Sequence, residues 1–196
     1  MVNNEIGEIS ISKPKRSGLL LVGQIFRIVV ISLLIIIPIR YYATEPFFVK
    51  GASMEHTFED GDYLFIDEIS YRFITPKRGD VIVFQYPLDL SQSFIKRIIG
   101  LPNETVEIKN NTVKIFNDDY PDGVILTENY LDSSQETFGD IQIKLKKNEY
   151  FVMGDNRTHS SDSRQWGVLG RNLIDGKVSI RLWPLDHIEI VHSVEY

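Results

Sequence analysis

Cysteine is absent from this 196-residue chain. No disulfide framework, thiol nucleophile or cysteine-held zinc is therefore available to it. Histidine is scarce as well. His56, His159, His187 and His192 are the whole supply, and they show no metal-ligand spacing. Neither a metal nor a cofactor is expected. Basic charge is short where a nucleic-acid footprint would need it. Residues 41–196 carry sixteen Lys/Arg against twenty-five Asp/Glu, a net −9, and such a body argues against nucleic acid as a partner. Repeats and low-complexity tracts are missing too. What is there is 43% hydrophobic and 24% charged, a globular composition long enough for one domain and an appendage.

The appendage reads "GLLLVGQIFRIVVISLLIIIPI" from Gly18 to Ile39, 22 residues, the length that spans a hydrocarbon core as a helix. Its sixteen Leu/Ile/Val/Phe contribute roughly −0.3 to −0.6 kcal/mol each, against roughly +3 for Arg27. Arg27 can also snorkel to an interface, and Tyr41 and Tyr42 suit the opposite one. A buried soluble helix would show a polar face, and this segment has none. A cleaved signal peptide would need a small-x-small exit; with Ala43 at −1 the −3 residue is the bulky Tyr41. The expectation is a tail over 1–17, an uncleaved membrane anchor over 18–42 and a body over 43–196. Lys13, Lys15 and Arg16 precede the span, against Arg40 and Lys50 after it. The positive-inside rule then puts the N-terminus in the cytoplasm and the body on the outer face of the cell membrane, with membrane lipid as a partner.

After Pro46 the pattern changes to short alternating runs. Tyr63–Asp67, Val81–Tyr86, Phe94–Ile99, Thr105–Ile108, Val113–Phe116, Ile141–Leu145, Tyr150–Met153, Val178–Trp183 and His187–Val191 read as strands. Asn110-Asn111 suits a tight hairpin, since Asn tolerates positive φ. Many short strands broken by Gly, Pro and Asp predict a mostly β body, an antiparallel sandwich or barrel-like fold. The polar stretch of about 117–140 reads as an irregular surface excursion.

One strand carries an anomaly. In "QSFIKRIIG" (Gln92–Gly100), Lys96 shares a strand face with Phe94 and Ile98 while Ile95, Arg97 and Ile99 share the other. Two readings stand on this window. Lys96 snorkels out at a strand edge, or its ammonium is desolvated, with a lowered pKa and the chemistry of a general base. Arg97 beside it adds like charge in the same direction. A base needs a nucleophile, and Ser53 in "FFVKGASMEHTFEDGD" follows Gly51-Ala52, small residues that let a peptide approach. It can equally be an ordinary turn serine. Further on, "FVMGDNRTHSSDSRQWG" packs Asp155, Arg157, Asp162 and Arg164 into ten residues behind an apolar strand.

Taken in order, the anchor, "GASM", "RGDVIVF" (Arg78–Phe84), "FIKRIIGLP" (Phe94–Pro102), "GDNRTHSSDSR" (Gly154–Arg164) and "RLWP" (Arg181–Pro184) resemble the bacterial type I signal peptidases. These are Ser/Lys membrane proteases that remove signal peptides from exported preproteins. The short segment between "GLP" and "GDNR" resembles the small, Gram-positive-type members. The resemblance implies that Ser53 is the nucleophile and Lys96 the general base. It implies that Ser160 orients the lysine and that Asp162 and Arg164 form an ion pair beside the site. Phe47, Val49, Met54, Phe58, Leu64, Val83 and Ile95 match positions lining shallow apolar pockets, which would read an Ala-x-Ala site. The implied partner is a preprotein bearing a signal peptide, and no metal or cofactor takes part.

This chain departs from the family pattern at three places. Gly51 stands where some members carry a serine whose hydroxyl joins the oxyanion hole. His56 replaces a proline and His159 an asparagine. Restoring either of the last two is expected to be tolerated. The histidines also open a rival, a Ser/His hydrolase. Two further rivals are a self-cleaving repressor-type Ser/Lys protease, which would need a DNA-binding head in place of the anchor, and an inactive anchored scaffold.

Overall fold

A computed structural model describes the backbone of residues 17–42 and 47–196, with side chains for 20–35 and 47–196. The tail with Lys13, Lys15 and Arg16 lies outside the described residues, as do the side chains of Arg40, Tyr41 and Tyr42. The chain divides into two units, 1–43 and 44–196. The first carries helix α1 (Ser17–Tyr42). Its large apolar side chains from Leu20 to Ile35 are exposed. Among the described residues no helix is long and apolar enough to cross a membrane.

Among the described residues the second unit has twelve strands: β1 (Phe47–Phe48), β2 (Tyr63–Asp67), β3 (Val81–Tyr86), β4 (Asp89–Gly100), β5 (Thr105–Lys109), β6 (Thr112–Phe116), β7 (Val124–Ile125), β8 (Ile141–Lys144), β9 (Glu149–Met153), β10 (Leu169–Gly170), β11 (Ile174–Trp183) and β12 (Glu189–Ile190). Every pairing is antiparallel. One sheet runs β1-β2-β11-β3-β4-β9-β10 with β12 added on β11; the other runs β7-β6-β5-β8. Both are open paths. Two short helices, α2 (Ser70–Phe73) and α3 (Ser163–Trp166), sit in connections.

Strand periodicity explains the core. Val81 and Val83 of β3 join one apolar cluster, with Val49, Met54, Phe58, Leu64, Ile95 and Val178. Ile82 and Phe84, on the opposite face, join another with Ile98, Tyr150 and Val152. Both faces of this strand are covered, which is why "VIVF" shows no polar alternation. A third cluster forms around Ile99, Val106, Ile115 and Phe151. The β5–β6 hairpin turns at Asn110 (φ 50°) and Asn111 (φ 63°). Two successive left-handed residues are the geometry that a two-residue hairpin loop needs.

Two expectations need correction. β4 begins at Asp89, not Phe94: its polar first half, Asp89–Ser93, is exposed and held by pairing with β3. The excursion of 117–140 is more than a surface loop. Arg157 reaches into it, bonding Thr137 Oγ1 at 2.7 Å, Tyr130 and Glu128, and Thr137 is itself buried.

Candidate active site

Ser53 sits on the loop between β1 and β2. Gly51 (φ 89°) lies in the left-handed region that favours glycine, and its amide donates to Asp60 Oδ1 at 2.7 Å. A tight turn follows, with the Phe58 amide donating to Met54 O at 2.7 Å. That turn buries Met54 and Phe58 completely and leaves Ser53 half-buried. The Ser53 carbonyl accepts from the Asn156 amide at 3.1 Å, which ties the loop to the segment after β9.

Lys96 comes from β4, and it is 3% exposed. Its Nζ lies 2.7 Å from Ser53 Oγ and 2.8 Å from the Ile95 carbonyl. Burial pushes its pKa down to about 8, against the opposing pull of the Asp162 and Asp155 charges. The open alternative of a snorkelling lysine is thus closed. The cause expected from Arg97 is not at work, however. Arg97 donates to both oxygens of Asp155, at 2.9 and 2.6 Å, and that neutralised pair reaches Lys96 through its carboxylate.

A cleft of about 730 Å³ opens over the two residues. Phe47, Phe48, Phe94 and Ile95 supply apolar wall, with Gln92 and His159 among the polar lining. Of the seven residues matched to substrate pockets, Phe47 and Ile95 line this cleft. Val49, Met54, Phe58, Leu64 and Val83 do not; each is buried in the cluster beneath it. They pack in the same cluster as Ile95 of the cleft wall.

Asp162 and Arg164 form the expected ion pair, Nη2 to Oδ2 at 2.8 Å. Burial raises the Asp162 carboxyl, but the Arg164 hydrogen bonds and charge bring it below the usual range, helped by Ser160 and the Gly154 amide. Ser160 is buried beside the Asp162 carboxylate. Its buried hydroxyl has no hydrogen-bond partner and makes no bond to Lys96. It lies close enough to the Asp162 carboxylate to help lower it as a hydrogen-bond donor, though without the geometry of a full bond. Gly154 is wedged beside it: a Cβ there would collide with Ser160 Oγ and the Ser53 carbonyl.

The histidines do not serve Ser53. His159 Nδ1 bonds within its own loop, to Thr158 Oγ1 at 2.9 Å. His56 is exposed and has φ 75°, a value closed to proline, whose ring holds φ near −65°. The expectation that proline can be restored at 56 is therefore overturned for this loop.

Comparison with known proteins bears on this geometry. The model of the family described as "Signal peptidase, peptidase S26" matches residues 22–183. The chain belongs to that family. It is 36% identical over 164 residues to a probable signal peptidase I-1 of Synechocystis sp., covering 80% of each chain. It is 35% identical over 184 residues to a signal peptidase I of Leptolyngbya laminosa, covering 90% of this chain and 86% of the relative. It is 34% identical over 185 residues to signal peptidase I P of Bacillus subtilis subsp. natto, covering 90% and 95%.

Within this signal peptidase fold, several supporting residues escaped the sequence reading. Thr57 Oγ1 donates to Asp155 Oδ2 at 2.6 Å, and Asn156 Nδ2 to Glu55 Oε2 at 2.9 Å. These bonds join residues about a hundred positions apart. Only the charge density of "GDNR" hinted that the segment was held from inside. The Arg97 guanidinium also lies 4.2 Å from the centre of the Tyr130 ring, so the excursion helps to bury β4.

Proposed function

We propose that this signal peptidase cuts preproteins with Ser53 as nucleophile and Lys96 as general base. The observation that carries the reading is a desolvated Lys96 amine 2.7 Å from Ser53 Oγ, with its pKa pushed down to about 8. Neutral Lys96 accepts the Ser53 proton as Oγ attacks the scissile carbonyl, and an acyl-enzyme forms. The protonated lysine donates to the leaving amine, and a water activated by the same amine releases the enzyme. The Ser53 backbone N–H stabilises the oxyanion, with Gly51 supplying no side-chain donor.

The substrate lies in extended form along the cleft. Strand β9 pairs with β4 only from Arg97 onwards. The backbone of Gln92–Lys96 therefore keeps one edge for a peptide strand. Phe47 and Ile95 meet its small side chains, and the buried layer of Val49, Met54, Phe58, Leu64 and Val83 limits how deep those can go. Asp162 and Arg164 hold the loop that carries Ser160 against the site.

The body is held to the membrane by α1, N-terminus inside and catalytic unit outside. Support comes from the run Gly18–Ile39 and from the exposure of its apolar side chains from Leu20 to Ile35. A helix apolar on all sides finds its partner in lipid or in a large core.

Incubating a signal-bearing preprotein with the full chain tests the chemistry. Wild type should release the mature protein, and folded Ser53→Ala and Lys96→Arg should not. Arg cannot deprotonate in a protein, so a Lys96→Arg enzyme that still cuts would end the Ser/Lys reading. External protease on intact spheroplasts tests the topology: complete protection of the body until lysis would reverse it.

A further inference from the structure

The loop that carries Ser53 is held from one side by the residues after β9. It is held from the other side by a cation that none of the chemistry above uses. Arg181, on β11, is mostly buried, and its Nη2 donates to the Thr57 carbonyl. Its Nε lies 3.3 Å from Asp62 Oδ2, at the loop's far end, and its guanidinium lies 5.0 Å from the centre of the buried Phe58 ring. Asp62 in turn accepts from the Glu59 amide at 3.0 Å. Thr57 is thus gripped twice, its carbonyl by Arg181 and its hydroxyl by Asp155. The grip falls directly after His56, whose φ of 75° is unfavourable for a residue with a side chain. A strained residue persists where its surroundings over-determine it, and here Arg181 and Asp155 do so.

We infer that Arg181 is a positioning residue, which fixes the turn after the nucleophile so that Ser53 stays within proton-transfer distance of Lys96. The inference rests on the Ser53–Lys96 reading. Arg181 touches neither reacting atom and acts through Thr57, Phe58 and Asp62. Its rim partner Glu189, at 3.1 Å and half-exposed, contributes little to that grip.

The test is steady-state cleavage of a preprotein by full-length Arg181→Ala, Arg181→Lys and Glu189→Gln. Misplacing a nucleophile by about 1 Å can cost about a hundredfold. Folded Arg181→Ala should lose about ten- to a hundredfold in kcat with KM little changed, the signature of an interaction that matters in the transition state. Millimolar guanidinium should restore part of that rate to Arg181→Ala, and none to Ser53→Ala. Arg181→Lys should be intermediate, because an ammonium cannot span Thr57 and Asp62 together. Glu189→Gln should behave as wild type. A folded Arg181→Ala with unchanged kcat would overturn the inference, and so would a loss that guanidinium leaves untouched. An active Ser53→Ala would instead sink the parent reading, so the two failures are distinguishable.

Discussion

Among the described residues, two serine–lysine pairs occur at almost the same spacing. Lys96 Nζ is 2.7 Å from Ser53 Oγ, and Lys177 Nζ is 2.8 Å from Ser193 Oγ. Their surroundings differ. Lys177 is about a quarter exposed and ion-paired with Asp80 at 2.7 Å, and Ser193 itself donates to Asp80 Oδ1 at 2.5 Å. Burial raises the Asp80 carboxyl, but the bonds from Lys177, Ser193, the Lys77 amide and Tyr71 hold it below the ordinary range. Lys177 therefore sits against a standing negative charge. Lys96 has no carboxylate in contact; Asp162 and Asp155 act on it only from a distance. On the proposed reading, a serine beside a lysine is thus not enough to make a catalytic pair. What separates the two is a missing counter-ion and the exclusion of water.

The largest expected contrast is in cleavage. Ser53→Ala and Lys96→Arg should each cost about 10⁴-fold or more, the scale for losing a nucleophile or its partner base. Lys177→Arg, which keeps the charge against Asp80, should stay within about tenfold, or ~1.4 kcal/mol in the barrier. The wild-type rate should rise with pH through about 8, since only the neutral Lys96 amine can accept a proton. A flat profile between pH 6 and 9, measured where the enzyme is folded, would remove Lys96 from the base role.

Stability should move in opposite directions at the two pairs. Lowering Lys96 from 10.5 to about 8 corresponds to about 3 kcal/mol of strain on the folded state. The sign follows from proton counts. Between about pH 8 and 10.5 the unfolded chain binds the extra proton, so the penalty is full below 8 and gone above 10.5. Lys96→Met should be inactive yet more stable at pH 7, by up to about 3 kcal/mol, and the gain should fade as pH rises through that window. Lys177→Met should lose about 2 kcal/mol at pH 7 by stripping a hydrogen-bonded charge from Asp80. Because Asp80 is depressed, that loss should shrink as pH falls below about 4 and the carboxyl takes up its proton. Urea midpoints for both variants across pH would show the crossing, and destabilisation by both at pH 7 would refute it.

Much of this architecture is legible in the residues themselves. "VIVFQY" delivers β3 to the residue, because its apolar side chains meet two cores. "NN" delivers the hairpin, because asparagine tolerates the backbone it needs. The outer half of β4 is silent, since "DLSQS" has the composition of a loop and is a strand only by pairing with β3. The motifs place Ser53 and Lys96, but not what surrounds them. Whether Val49 or Leu64 faces a cleft or a core depends on what stacks above it, and one strand's sequence does not contain that. The backbone of His56 is hidden for a similar reason: the next residue, Thr57, is held by Arg181 of β11 and by Asp155 in the segment after β9.

His56 gives a smaller test of the same lesson. His56→Gly should gain about 1 kcal/mol by relieving a left-handed residue. His56→Pro should instead disrupt the turn and lower kcat by about tenfold or more, against the expectation from the family pattern. Equal stability of the two variants would mean that the loop adopts another backbone. The smallest effects should come from Ser160→Ala and His159→Asn, each within about tenfold of wild type, ~1.4 kcal/mol. Neither side chain bonds Ser53 or Lys96. A thousandfold loss in either folded variant would show that the loop moves onto the lysine during turnover.

Gly154 has a consequence of another kind. It occupies the gap between the nucleophile's own peptide and the Ser160 hydroxyl, with no room for one more carbon. It works as a shim, and its thickness sets the distance between two parts of the chain that never meet in sequence. A methyl group placed there by Gly154→Ala should press on the Ser53 peptide and on Ser160 Oγ from inside the fold, where no diffusing molecule could reach.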